Sequence, residues 1–316
     1  MNYRKMGRTG LKLSELSLGT WITIGEQLSE IEAINLIHMA YQYGINFFDT
    51  ADEYSNGVAE LILGKATKSF QRESFVISTK VWAQTMPGPN GKGLSRKHIF
   101  ESCNNSLRRL GTDYIDIYFC HGYDSETPVD ETIRAMDDLI HQGKVLYWGT
   151  SNWEISQYIN AHTYSINNNL YTPTVVQPKY NMFFRKEVEE ELLPNVKDYG
   201  FGLVTYSPLD NGVLSGKYLN KIPEGTRLEY RNWLSDDILD KEKSEKTNKL
   251  NVICKELEVS LSQLAIAWNL RIPEISSVIL GVSKKSQLEE NIIAMSVAEK
   301  MSQSVLESIE IVFMSA

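Results

Sequence analysis

Residues 45–54 read INFFDTADEY, a run that is apolar and aromatic at first and then turns to an aspartate, a small loop and a tyrosine. Its first half has the composition of a buried strand. Its second half puts an acid and a phenol where that strand gives way to a loop. Just upstream, Ser29 and Glu32 form a capping-box pattern ahead of IEAINLIHMAYQY, and Gly44 stands where a left-handed residue ends a helix. Ile31, Ile34, Leu36, Ile37 and Met39 predict the apolar stripe of that helix. The local reading is helix, tight turn, strand, loop.

The same unit recurs along the chain. Runs like INFFD appear at 15–19 (ELSLG), 75–80 (FVISTK), 114–121 (YIDIYFCH), 145–151 (VLYWGTS), 174–177 (TVVQ), 202–206 (GLVTY) and 276–281 (SSVILG), which makes eight with 45–49. Between them lie helical patterns at 95–110, 154–168, 187–199, 240–269 (broken near Glu258 to Ser260) and 285–294. Another opens at Thr127–Pro128, with proline in the first turn where its missing N–H costs nothing, and closes at Gly143. Parallel strands need crossovers, and the crossover is usually a helix. Eight repeats favour closure, so the expected fold is α/β, a (β/α)8 TIM barrel spanning residues 1–316 as one domain. An open doubly wound sheet would announce itself with GxGxxG after the first strand, whereas strand 1 here runs into GTWITIG. YRKM and LKLS around GRTG predict a small hairpin ahead of the barrel. The connections at 82–93 and 207–234, after strands 3 and 7, are long enough to be lids or binding loops.

Composition narrows the function classes. The formal net charge of -8 disfavours broad contact with nucleic acid or anionic membranes, and no run approaches the length of a membrane span. Three well-separated cysteines suggest neither a disulfide framework nor a thiolate metal site, and no metal-binding motif is present. With no signal-peptide pattern at the N-terminus, a cytoplasmic protein without membrane insertion is the expectation. VLSGK (213–217) lacks the spacing of a nucleoside-triphosphate loop.

A barrel of this kind carries its active site at the carboxyl ends of the strands. Those ends are Asp49 with Tyr54 beyond it, Lys80, His121, Ser151 with Asn152, Gln177, and Tyr206 with Ser207. Taken singly, each is more often a cap or a satisfied polar group; the other histidines (His38, His98, His141, His162) fall at helical positions.

The motifs FDTADEY, STK, the His121 after IDIYFC, GTSNW, VQPKYN, YSPLDNGVLSGKY and GVSKKSQLEEN occur in the order of the aldo-keto reductase family, and the chain resembles that family over nearly its whole length. The nearest likeness is to the branch of potassium-channel β subunits and bacterial glyceraldehyde-phosphate reductases. The resemblance implies NADPH-dependent reduction of an aldehyde or ketone, with Tyr54 as proton donor supported by Asp49, Lys80 and His121. For the cofactor it implies Ser151, Asn152 and Gln177 at the carboxamide, Tyr206 stacked on the nicotinamide, and Thr20, Trp21, Ser207 and Leu209 as further contacts. Lys217 and Arg227 would lie by the pyrophosphate; Gly281, Ser283, Lys284, Gln287, Glu290 and Asn291 would hold the adenosine end. Trp21, Trp82 and Tyr123, with Met86 and Trp153, would wall the substrate mouth. A helix N-terminus with a cation suits a monophosphate, which favours NADPH over NADH. The family's β-type members suggest a homo-oligomer, a tetramer, and the alternative function of a redox-sensing channel β subunit with little turnover. Such subunits carry tryptophan and asparagine at the positions of Tyr206 and His121, so the tyrosine and histidine here imply turnover.

The chemistry of the residues agrees with those roles. A phenol titrates near 10, and a lysine cation about 4 Å away at an effective dielectric of about 20 contributes about 4 kcal/mol, or roughly three pKa units, toward lowering it, less what Asp49 neutralises. His121 can donate to an oxygen on which negative charge grows. A Schiff-base lyase using Lys80 as nucleophile is the remaining alternative.

Overall fold

The computed structural model describes residues 1–314, apart from the side chain of Arg227. Strands β1 (Tyr3–Lys5) and β2 (Lys12–Ser14) form an antiparallel hairpin. Strands β3 (Leu16–Gly19), β4 (Phe47–Asp49), β5 (Val76–Val81), β6 (Ile115–Cys120), β7 (Val145–Ser151), β8 (Val175–Gln177), β9 (Gly202–Thr205) and β10 (Ile275–Leu280) pair in parallel and close into a barrel, with β10 returning to β3. The eight runs and the hairpin expected from sequence are therefore present, each within a residue or two of its expected bounds.

The helices surround this barrel: α1 (Glu30–Gln42), α2 (Val58–Thr67), α3 (Arg96–Leu110), α4 (Val129–His141), α5 (Ile155–Asn167), α6 (Leu193–Tyr199), the short α7 (Arg227–Tyr230) and α8 (Ser235–Ile238), then α9 (Lys241–Leu257), α10 (Leu261–Leu270), α11 (Lys285–Ile292), α12 (Ala294–Ala298) and α13 (Gln303–Met314). Ser29 and Glu32 form the capping box of α1, and Gly44 has φ 86°. The break between α9 and α10 falls at Glu258, left-handed at φ 56°. Three details differ from the sequence reading. Ile31 is 73% exposed, because the buried stripe of α1 runs through Ala33, Leu36, Ile37 and Ala40 instead. Pro128 caps α4 from outside, with ψ 130°, rather than opening its first turn. Helices α2, α7, α8, α12 and α13 have no counterpart in the sequence reading; α2 follows a left-handed glycine, Gly57, with no side-chain cap to announce it.

Strand parity decides which residues face the barrel axis, because side chains alternate with period two. The interior cluster contains Phe47, Val76, Ile117, Phe119, Val175, Val204 and Ile279. Continuing each strand by twos from these residues leads to Asp49, Ser78 and Lys80, His121, Gln177, Tyr206 and Gly281. The bottom half of the barrel is thus filled with hydrocarbon and the top half with polar groups. Met6 and Leu13 of the hairpin, both fully buried, join the same cluster and plug the bottom. The larger apolar layer lies between the strands and the helices.

Gly64 shows how tightly that outer layer is packed: a Cβ there would lie 2.4 Å from the Leu110 carbonyl oxygen at the end of α3. Alanine gains about 1 kcal/mol in helix propensity, but the overlap with backbone costs about 1–3 kcal/mol. Gly64→Ala is therefore expected to be neutral at best and destabilising by up to about 2 kcal/mol. A raised melting temperature in calorimetry would contradict the close approach of α2 to α3.

Candidate active site

Lys80 is the centre of the polar half. Its ammonium is fully buried and donates three hydrogen bonds: to Asp49 Oδ2 (2.7 Å), to the Thr50 carbonyl oxygen (2.7 Å) and to Tyr54 Oη (3.2 Å). An ammonium has three donors, so all are used. Asp49 in turn accepts from Ser78 Oγ (2.6 Å) and Gln177 Nε2 (2.9 Å) at its other oxygen. Four interior positions on β4, β5 and β8 thereby hold one ion pair without an unmet charge.

This arrangement has a consequence for Tyr54. A hydroxyl has one donor and can accept through its lone pairs. Lys80 can only donate, so it occupies an acceptor position of Tyr54 Oη and leaves the phenolic O–H to point elsewhere. Tyr54 lines a cavity of about 590 Å³ at the barrel mouth, together with Asp49, Glu53 and His121. Burial first, and then the Asp49 carboxylate, push the Tyr54 phenol well above its ordinary range. The expectation that Lys80 would lower it is corrected: Asp49, paired to the ammonium, cancels much of its field at the ring oxygen, and loss of water disfavours a phenolate. Burial also lowers Lys80, opposed by Asp49. Tyr54 therefore holds its proton at neutral pH.

His121 continues the inward parity of β6. Its backbone N–H donates to the Val81 carbonyl (2.9 Å), its carbonyl accepts from Asn152 Nδ2 (3.0 Å), and its ring meets that of Tyr54 edge-on at 5.8 Å between centroids. Nδ1 lies 3.1 Å from Glu53 Oε1, at ion-pair distance, and is buried without a hydrogen bond among the described residues. Burial, and then the Lys80 charge, lower the imidazole, while Glu53 raises it.

The cavity extends from these residues past Trp21, Asn152, Gln177, Tyr206, Ser207, Leu209 and Lys217 to Gly281, Gln287, Glu290 and Asn291 beside α11. Tyr206 Oη donates to Asn152 Oδ1 (3.0 Å). Asn152 and Ser207 adopt left-handed backbones (φ 55° and 56°), and Asn181 Nδ2 holds the Ser207 carbonyl at 2.9 Å. Strain of about 1 kcal/mol or more per such residue persists only where surrounding contacts enforce it. At the start of α11, the N–H groups of Ser283 and Lys284 both donate to Gln287 Oε1 (2.9 and 3.1 Å). A rotatable amide oxygen thus stands where the oxygen of an anion would be received.

Several sequence-predicted residues are not in the lining. Thr20 is buried and bonded to Thr50 Oγ1 (2.9 Å), and Ser151 Oγ donates to the Gln177 carbonyl (2.9 Å). Ser283 and Lys284 directly precede α11, whose Gln287, Glu290 and Asn291 do line the cavity. Trp82 donates through Nε1 to the Tyr123 carbonyl (3.1 Å), and Tyr123 meets Trp153 edge-on; Trp153 is 3% exposed and belongs to the core. Met86 is exposed on the long loop after β5. The Arg227 side chain lies outside the described residues. Sequence reasoning missed Glu53, Lys179, Phe184 and Trp233, all in the lining. Glu53 had a signal in its place beside Tyr54, Lys179 in the motif VQPKYN and Trp233 in the long connection after strand 7. Among the described residues no group of three or more His, Cys, Asp or Glu could hold a metal ion, and no helix is long and apolar enough to cross a membrane.

A parallel eight-stranded barrel with an Asp–Lys–Tyr–His cluster at the carboxyl ends of its strands defines a class, and the sequence comparison gives the same answer. A profile of the aldo/keto reductase family matches residues 15–312, and the chain belongs to that family. It is 45% identical to a protein of Arabidopsis thaliana named probable voltage-gated potassium channel subunit beta, over all of this chain and 97% of that one. A rice protein of the same name is also 45% identical, with the same coverage. A putative voltage-gated potassium channel subunit beta of Schizosaccharomyces pombe is 40% identical over 98% of this chain and 92% of that one.

Proposed function

We propose that this protein reduces an aldehyde or ketone to the alcohol with NADPH, using Tyr54 as the proton donor. The observation that carries the reading is the 3.2 Å hydrogen bond from Lys80 to Tyr54 Oη, which commits the ammonium to the phenol's lone pair and frees the O–H for a ligand in the cavity. The dinucleotide, when bound, supplies a hydride. The residues present suit such a group: amides and hydroxyls of Asn152, Tyr206 and Ser207 line the inner end of the cavity, and Lys217, Gln287, Glu290 and Asn291 line the outer end.

Tyr54 hydrogen-bonds the carbonyl oxygen and passes it a proton as negative charge develops there. Lys80 then faces the nascent phenolate oxygen and steadies it, while Asp49, held by Ser78 and Gln177, keeps the ammonium in place. Lys80 is a poor Schiff-base nucleophile here, since all three of its hydrogens are engaged and it is fully buried.

Preference for NADPH rests on α11. Lys284 is an exposed cation at the helix start, and the N–H groups now held by Gln287 face the same spot. Lys284→Ala is expected to weaken NADPH binding about tenfold and NADH less than twofold, the order of one charge-assisted contact. Titration by fluorescence checks it; equal weakening of both would remove the assignment to the 2′-phosphate.

The names of the relatives favour a second reading, a dinucleotide-binding subunit of a channel with little turnover. Oxidation of NADPH by a panel of aldehydes separates the two: steady turnover supports the reductase, and a single slow turnover supports the subunit.

A further inference from the structure

Glu53 is absent from the four-residue cluster, yet its carboxylate lies within ion-pair distance of His121 Nδ1. Nδ1 of that ring is enclosed and has no hydrogen-bonding partner among the described residues, and Glu53 Oε1 lies 3.1 Å away. The Glu53 side chain is 38% exposed. The His121 side chain keeps 15% of its surface and lines the cavity, which leaves Nε2 on the accessible edge.

We infer that Glu53 is a positioning residue that fixes the tautomer of His121: neutral His121 carries its proton on Nδ1, toward the carboxylate, and turns a bare Nε2 lone pair to the cavity. The reason is local. A lone pair on Nδ1 would face a carboxylate with nothing to receive, whereas an N–H there meets an anion. A neutral imidazole has only one N–H. With that hydrogen spent on Glu53, His121 cannot donate to a carbonyl oxygen in its neutral form and does so only as imidazolium.

The charged and titratable groups facing this ring are Glu53 and Tyr54 on the loop after β4, Asp49 on β4 and Lys80 on β5. Glu53 and Asp49 favour the imidazolium; burial and Lys80 oppose it more strongly and place it below the usual histidine range. The sign follows. The second donor is present at acid pH and is lost as pH rises through the His121 pKa, while Tyr54 remains protonated throughout.

The inference about catalysis rests on the proposed reductase activity, but the tautomer does not, and the test separates them. In the 15N–1H spectrum of imidazole-labelled protein without cofactor, with the His121 signals assigned by their loss in His121→Asn, wild-type His121 above its pKa is expected to show the Nδ1–H pattern. Glu53→Gln, whose amide can accept or donate, should give a mixture of tautomers and a lower pKa. A wild-type Nε2–H tautomer, or a Glu53→Gln spectrum unchanged in tautomer and titration, overturns the inference whether or not the protein turns over a carbonyl.

The kinetic arm reads the consequence. The wild-type reduction rate should fall about tenfold as pH rises through the His121 pKa, below the usual histidine range, to a plateau set by Tyr54 alone, a modest share of the roughly 100-fold or more that an oxyanion donor can contribute. In Glu53→Gln the neutral ring can present Nε2–H, and the fall should shrink to about twofold or less. Superimposable profiles for the two proteins would overturn the claim that Glu53 controls the donor. Absence of wild-type turnover would reject the reductase reading while the spectra still decide the tautomer.

Discussion

Tyr54→Phe is expected to lower kcat for carbonyl reduction by about 1,000-fold, within the 10²–10⁴ span of general-acid contributions, and to leave dinucleotide affinity within about twofold. The substitution removes one oxygen from a ring that is otherwise packed, so the fold has little reason to change. It also removes one of the three acceptors of the Lys80 ammonium, the other two being Asp49 and the Thr50 carbonyl. Stopped-flow reduction at saturating NADPH reads the chemical step, and fluorescence titration reads binding. A variant that keeps a tenth of the wild-type rate would show that the proton comes from elsewhere, with His121 the next group to examine.

Lys80→Met is expected to cost about 3–5 kcal/mol of folding stability, because it removes one member of a buried ion pair and leaves the other charged. Asp49 would keep Ser78 and Gln177 as donors but lose its counter-ion. Adding Asp49→Asn should recover at least half of the loss, since the amide carries no charge to desolvate; the pair is coupled, and the two single effects will not add. Urea unfolding with the slope held constant measures both. A single variant within about 1 kcal/mol of wild type, or a double variant no more stable than the single, would mean that water reaches Asp49 and that the ion pair is not sealed as described.

The order of strands and helices was readable because each element follows from neighbours a few residues apart. The capping box at Ser29 and Glu32, the left-handed Gly44 and the apolar runs are local facts, and closure follows from counting eight alternations. The residues at the strand ends were readable for the same reason: parity along one strand carries Phe47 to Asp49 and Val76 to Lys80. Burial on a helix face was harder to read. Ile31 looked like core and is exposed, because the buried face of α1 runs through Ala33, Leu36, Ile37 and Ala40, two of them small residues that carry little hydrophobic signal.

Relations between elements distant in the chain were not legible. Gln177 and Asp49 are 128 positions apart and share a hydrogen bond, and Trp82 and Tyr123 turn from the expected substrate wall into a pair of their own. The direction of the Tyr54 shift belongs to the same group: its sign depends on how completely Asp49 screens Lys80 and how dry the ring is, and both are set by packing in three dimensions. Glu53 stood in plain view beside Tyr54, but only the arrival of β6 next to that loop gives its carboxylate a histidine to hold. Chain order settles which chemical groups reach the barrel mouth, because strand periodicity is a short-range property. The distances among them, and hence their protonation, follow from closure of the sheet, which brings together parts of the chain that no local pattern connects.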